Sequence, residues 1–222
     1  YVIWLMIHII DKVSLTSNGL VATGTKDLIH LHQGDMDGAC AVYSLMMCLI
    51  INRSIKRLDV TDLDKKHDGR SSKGRLVDTF LNNAKGLVRE GYELEVLNTE
   101  LLHAFKKCVS TAWYSTENAK KQELYAIIKS SLDEHSPIEL GFSWKRKGGH
   151  AITVIGYEEQ KAYLRLFCLD PGYPLQEGQY WNNVLDIDID NGAKFNTYNH
   201  QESRYGREVF VSIEDVLVIQ KA

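Results

Sequence analysis

Apolar and polar residues are spaced differently in successive stretches of this chain, and those changes of texture mark out its elements. Residues 1–10 (YVIWLMIHII) are almost wholly apolar. They cover about half the length needed to cross a bilayer and have no basic n-region or small-residue cleavage site, so they read as a buried strand and not as a membrane span. Turn signals at Ser17-Asn18-Gly19 and Gly24 then break the chain into short strands, which end in the loop His32-Gln33-Gly34-Asp35-Met36-Asp37-Gly38. From Cys40 to Asn52 the sequence CAVYSLMMCLIIN is apolar nearly all round and free of Gly and Pro. That pattern predicts a helix buried at the centre of a domain, with Cys40 in its first turn.

Residues 53–75 are polar and mixed in charge, and with Asp68-Gly69 and Ser71-Ser72-Lys73-Gly74 they read as a mobile surface excursion. Helical spacing returns over 76–91, 98–108 and 119–134, the second opened by Asn98 or Thr99 as its cap, and Pro137 closes this part. Strand texture follows at 138–144, 150–157, 162–169 and 209–219, each bounded by Gly, Pro or charged turn residues. Helices first and antiparallel strands later predict an α+β fold. No repeat of fixed period argues for a solenoid.

Composition narrows the function classes. A length of 222 residues suits one domain spanning 1–222, and 44% hydrophobic residues with 3 Pro argue against a disordered or fibrous chain. With 26 Lys+Arg against 29 Asp+Glu, the chain has no basic field for nucleic acid or an anionic membrane. Cys40, Cys48, Cys108 and Cys168 include no C-x-x-C pair, so free thiols in a reducing, cytoplasmic setting are expected. The first residue is Tyr and not Met. This suggests a trimmed N-terminus and keeps a secreted effector open. The sequence sets no oligomeric state.

The candidate chemistry begins with a cysteine entering a buried helix behind a Gly- and Asp-rich loop. Unpaired N–H groups and the helix dipole favour a thiolate there, and a nearby imidazolium favours it further. The strand half offers a base at Gly148-Gly149-His150, where the glycines permit close approach. Twenty residues on, at the end of the next strand of a hairpin, Asp170 stands ready to orient that imidazole. Gln33, seven positions before Cys40, has an amide that can join the Cys40 N–H in holding an oxyanion.

Gln33, Cys40, His150 and Asp170-Pro171, in that order, resemble the papain-like cysteine peptidases, and most of all their C39-like branch. The resemblance is carried by QGDMDGACAVYSL and GGHAITVIGYEEQKAYLRLFCLDPGY and spans residues 33–170. It implies a papain-like α+β fold, with a helical half holding the cysteine on a central helix and an antiparallel sheet holding the histidine and the aspartate. It also implies thiol-dependent cleavage of a peptide or isopeptide bond in a protein or peptide substrate, without metal or organic cofactor. Two alternatives stay open: acyl transfer to an amine by the same apparatus, as in transglutaminase-like enzymes, and a papain-like binding module with an unreactive cysteine.

Around this centre, Asp35 and Asp37 either line a substrate cleft or shape the turn before the helix. Gly149 and Trp144 flank His150 as substrate-side candidates, and Trp144 or Trp181 offers to shield a thiolate–imidazolium pair from water. The basic run at 145–147 is a solvated hairpin tip or a contact for an acidic partner. Cys48, Cys108 and Cys168 read as packing residues. His30 and His32 share a face in extended chain but find no third ligand, so no metal site is assigned. The stretch 186–192 (DIDIDNG) has its glycine one position too late for a calcium loop and reads as a strand with a wet acidic face followed by an Asn-Gly turn.

Overall fold

The apolar run at 40–52 becomes the central element, helix α1 (Cys40–Ile51), in which every residue from Ala41 onward except Tyr43 is buried. A computed structural model of the chain describes residues 6–34, 37–82, 91–144, 148–188, 196–199 and 208–222. Because α1 is apolar on all sides it needs cover on all sides, and each large aliphatic side chain it buries contributes about 1.5–3 kcal/mol.

Cover on one side comes from the late strands: β5 (Ile138–Trp144), β6 (Gly149–Glu159), β7 (Tyr163–Leu169), β8 (Asn183–Asp188), β9 (Asn196–Asn199) and β10 (Glu208–Lys221). They pair in the order β6-β5-β10-β9-β8-β7, and β7 pairs back onto β6, so six antiparallel strands close on themselves. A short strand β1 (Ile7–Ile9) extends the edge of β6, and β4 (Val109–Ser115) does the same along β10. Strands β2 (Val13–Thr16) and β3 (Gly19–Ala22) form a separate hairpin. One contiguous cluster of buried side chains runs from α1 through this sheet. The α+β class is as expected, and a buried cysteine-bearing helix lying on an antiparallel sheet is the arrangement that the papain-like resemblance calls for.

Several local expectations need correction. The opening segment is an edge strand and not a buried one. Ile7 is 53% exposed and Ile10 is the residue that enters the core, while residues 1–5 lie outside the described chain. The segment 53–75 is not merely solvated, because helix α2 (Leu58–Thr61) carries Asp59 into the interior at 5% exposure. There it receives Lys65 Nζ at 2.6 Å, Lys73 Nζ at 2.7 Å and the Lys56 N–H at 2.8 Å. The next helix, α3 (Ser72–Val77), starts four residues earlier than the spacing predicted. Ser71 caps it by accepting from the Gly74 N–H, and it runs on as a π-helical turn over Asp78–Asn82, beyond which 83–90 lie outside the described residues.

Helix α4 (Leu94–Phe105) likewise begins before the expected Asn98 or Thr99 cap, because its buried stripe of Leu94, Leu97 and Leu101 starts at Leu94. Strand β4 was not anticipated, and it interrupts the helical half before α5 (Lys121–Asp133). The acidic stretch forms β8 as far as Asp188, and 189–192 lie outside the described residues.

Candidate active site

Helix α1 is fixed on β6 by a short polar seam within the apolar core. Ser44 Oγ donates to the Ala151 carbonyl at 3.0 Å, Thr153 Oγ1 donates to the Ser44 carbonyl at 3.0 Å, and the Cys48 thiol donates to Thr153 Oγ1 at 3.8 Å. These bonds set how far along the strand the helix can sit, and so bring Cys40, one turn before Ser44, to the strand end that carries His150.

The Cys40 thiol interacts with the His150 side chain and with the backbone N–H groups of Ala151 and Ala41. Burial alone would push the Cys40 thiol up; the bond to His150, its charge and the two N–H groups outweigh this and leave the thiol below its ordinary value. The first turn of α1 has no acidic residue to oppose a thiolate. By contrast, burial pushes the thiols of Cys48 and Cys168 well up, as suits packing residues, and Cys108 is a free, half-buried thiol.

His150 Nε2 donates to Asp170 Oδ1 at 2.7 Å, with the histidine side chain 13% exposed and the carboxylate fully buried. Burial disfavours the imidazolium, but the Asp170 charge and hydrogen bond, together with Cys40, raise its pKa to about 10. The hairpin β6–β7 accounts for this meeting: Thr153 pairs with Leu169, so Asp170 leaves the end of β7 beside the start of β6.

Two asparagines that the sequence reading passed over hold Asp170 in place. Asn183 Nδ2 donates to Asp170 Oδ2 at 3.0 Å. The Asn182 side chain accepts from the Asp170 N–H at 2.7 Å and donates to the Asp170 carbonyl at 2.8 Å and the Tyr173 carbonyl at 2.7 Å. The Gly172 N–H supplies a third donor to the carboxylate, on Oδ1 at 2.8 Å, and a Cβ at Gly172 would stand 3.2 Å from the same oxygen. The available signal was two adjacent amides twelve and thirteen residues after Asp170, at the head of a strand.

His30, weighed as a metal ligand, instead meets the Asp170 carbonyl at 3.0 Å through Nε2, and burial lowers its pKa. His32 is exposed, and among the described residues no group of three or more His, Cys, Asp or Glu side chains is arranged to hold a metal ion.

The Gln33 N–H donates to the Pro171 carbonyl at 2.8 Å, which moors its segment to the Asp170 turn, and its Nε2 donates to the Asp37 carbonyl. That amide keeps a second N–H. Asp37 accepts from the Gly34 N–H at 3.1 Å and the Ala39 N–H at 3.2 Å, which is the turn-shaping arrangement, while Asp35 lies outside the described residues.

On the other flank, Trp144 packs with its ring centroid 6.2 Å from that of His150, and Phe142 meets the same imidazole edge-on at 5.7 Å. Gly148 has φ +154°, and a Cβ there would lie 2.7 Å from Trp144 Nε1, so glycine is what allows the indole to sit beside the histidine. Gly149 begins β6 and is exposed, whereas Trp181 stacks on Phe167 at 4.1 Å. The basic run at 145–147 lies outside the described residues.

Comparison with known proteins identifies a family. The profile of the Peptidase_C39 like family matches residues 25–204, a stretch that includes Gln33, Cys40, His150 and Asp170. No curated protein matches the chain. Among solved structures, the crystal structure of UfSP from C.elegans is similar with a TM-score of 0.46 at 13% identity, over 100% of this chain and 35% of that one. The chain thus spans about a third of the length of that protein.

Proposed function

The chain belongs to the C39-like peptidase family, and from that premise we propose that it cleaves a peptide or isopeptide bond with Cys40 as nucleophile. In this reading residues 1–222 act as one domain and the substrate is a protein or peptide. The observation that carries it is the 2.7 Å bond from His150 Nε2 to the buried Asp170, with the Cys40 thiol interacting with the same imidazole.

The Cys40 thiolate attacks the carbonyl carbon, forming a C–S bond and moving the carbonyl electron pair to oxygen. The Cys40 N–H and the second N–H of Gln33 Nε2 receive that oxyanion. With Nε2 engaged by Asp170, Nδ1 is the His150 nitrogen that passes its proton to the leaving amine as the C–N bond breaks. Water then gives a proton to His150 and attacks the thioester, the C–S bond breaks, and the acid product leaves with Cys40 again a thiolate. Asp170 holds the imidazole in the tautomer and orientation that both halves require. Trp144 covers one side of the pair and lowers its exposure to water.

The test is digestion of a defined peptide library by the full chain and by Cys40→Ala, with products read by mass spectrometry in the presence and absence of an added primary amine. New peptide ends with the parent chain and none with Cys40→Ala are expected. Amine-capped products that displace the hydrolysed ones would identify an acyl transferase, and equal product formation by both chains would overturn the assignment of Cys40.

A further inference from the structure

The core beneath α1 contains a carboxyl group that the proposed mechanism does not use. Glu139, on β5, is fully buried, and neither of its oxygens has a hydrogen-bond partner among the described residues. Its position is fixed by the sheet register, since Glu139 pairs with Thr153 of β6 and with Leu217 of β10. Directly paired residues in a sheet share a face. Thr153 spends its hydroxyl on Ser44 and Cys48, so that face is the one α1 lies on, and Glu139 lies under the stripe of the helix that contains Cys40, Ser44 and Cys48.

We propose that Glu139 remains an uncharged carboxylic acid under α1, so that no second negative charge stands beneath the Cys40 thiolate. The inference rests on the proposed function in one respect, that Cys40 carries the thiolate.

An ionised carboxylate with no donor and no water-facing surface is among the costliest groups a protein can bury. The elements packed around Glu139 offer no relief. Helix α1 brings the thiols of Cys40 and Cys48, neither of them a cation, and β6 brings the hydroxyl of Thr153, already committed. Strand β10 brings Asp215, two residues along from Leu217, whose carboxylate is taken by Trp113 Nε1 at 3.0 Å. No Lys, Arg or His among the described residues bonds to Glu139. Burial and the nearby Cys40 both push its carboxyl well above the ordinary carboxylate range, and its charge in turn weighs on the Cys48 thiol. Such coupling is reciprocal: whatever the thiolate does to the proton on Glu139, a proton lost from Glu139 does to the thiolate.

The experiment is an infrared pH titration of protonated carboxyl C=O bands in the full chain, in Glu139→Gln and in Cys40→Ala, run beside the pH profile of Cys40 alkylation. At neutral pH a protonated-carboxyl band present in the parent chain should be missing from Glu139→Gln. In Cys40→Ala that band should titrate away about one pH unit lower, the shift expected for two charges several Å apart at an effective dielectric of about 20. Glu139→Gln exchanges one neutral group for another and should leave the acid limb of Cys40 alkylation in place. No band lost in Glu139→Gln, an unchanged titration in Cys40→Ala, or an acid limb moved down by more than about half a unit in Glu139→Gln would overturn the inference. If Glu139→Gln does not fold, the Cys40→Ala arm decides on the native carboxyl. A reactive Cys40 thiolate beside an ionised Glu139 would sink this inference alone, whereas an ordinary thiol at Cys40 would sink the peptidase reading as well.

Discussion

Asn183→Ala removes a donor to the buried Asp170 carboxylate, which among the described residues also receives His150 Nε2 at 2.7 Å and the Gly172 N–H at 2.8 Å. The lost bond, 3.0 Å long, ends on an oxygen of a fully buried side chain, so no bulk water takes its place. A hydrogen bond to a charged group contributes about 1.5–3 kcal/mol, and in a chain of this length each kcal/mol moves the melting temperature by about 2–4 °C. A loss near 2 kcal/mol, or about 4–8 °C, is therefore expected by thermal unfolding followed by circular dichroism. The substitution should also move activity, because a carboxylate free to turn about its bond to Gly172 orients His150 less well. Peptide cleavage should fall about tenfold, equivalent to roughly 1.4 kcal/mol in the transition state. Asn183→Asp is the harsher variant, since it faces Asp170 with a second carboxylate at the same distance and forces one of the two to keep a proton. The reasoning is refuted if Asn183→Ala melts within about 1 °C of the parent chain and keeps its cleavage rate, since the amide would then hold nothing in place.

Gln33→Ala should lower kcat by about 10²-fold while leaving the rate of Cys40 alkylation unchanged, because an oxyanion donor acts on the substrate and not on the thiol; a matching fall in alkylation would reassign Gln33 to loop architecture. Gly148→Ala should cost more than about 1 kcal/mol and alter the Trp144 emission, because a methyl group cannot share the space 2.7 Å from the indole nitrogen at φ +154°; unchanged emission would remove that packing argument. For Asp59, burial favours the neutral acid, but Lys65 and Lys73 outweigh it and hold the folded carboxyl below the usual carboxylate range. A depressed folded pKa gives stability that is present above the unfolded value of about 3.9 and lost as pH falls below it. Asp59→Asn should accordingly cost about 2 kcal/mol at neutral pH and flatten the acid side of the stability curve, and an acid limb as steep as the parent's would count against the ion pairs.

What could be read from the sequence followed from features with a period or a fixed order. The all-round apolar run of α1 admits no reading but a buried helix, and strand 150–157 ending before a second strand and Asp170-Pro171 implied the hairpin that brings Asp170 to His150. Side chains whose role depends on distant partners could not be seen. Asn182 and Asn183 look like ordinary loop amides until the hairpin folds back, and Glu139 in IELGFSW looks like the wet position of an alternating strand. Strand β4 was hidden because VSTAWYS follows a helix directly, and its partner, β10, lies about a hundred residues later in the chain. Asp59 was absorbed into a charged run, although two lysines within reach were what allowed its burial.

The central claim is that Cys40 and His150 form a reactive ion pair, and the most direct measurement is the pH dependence of site-resolved alkylation at Cys40 in the parent chain and in His150→Ala. The thiol is lowered and the imidazole raised to about 10, so the pair should exist from below the ordinary thiol pKa of about 8.5 up to the imidazole's own loss of its proton. Cys40 should react well below pH 8, far faster than Cys48, Cys108 and Cys168, and His150→Ala should remove that advantage. A Cys40 that titrates like an ordinary thiol, or that reacts equally well without His150, would contradict the account.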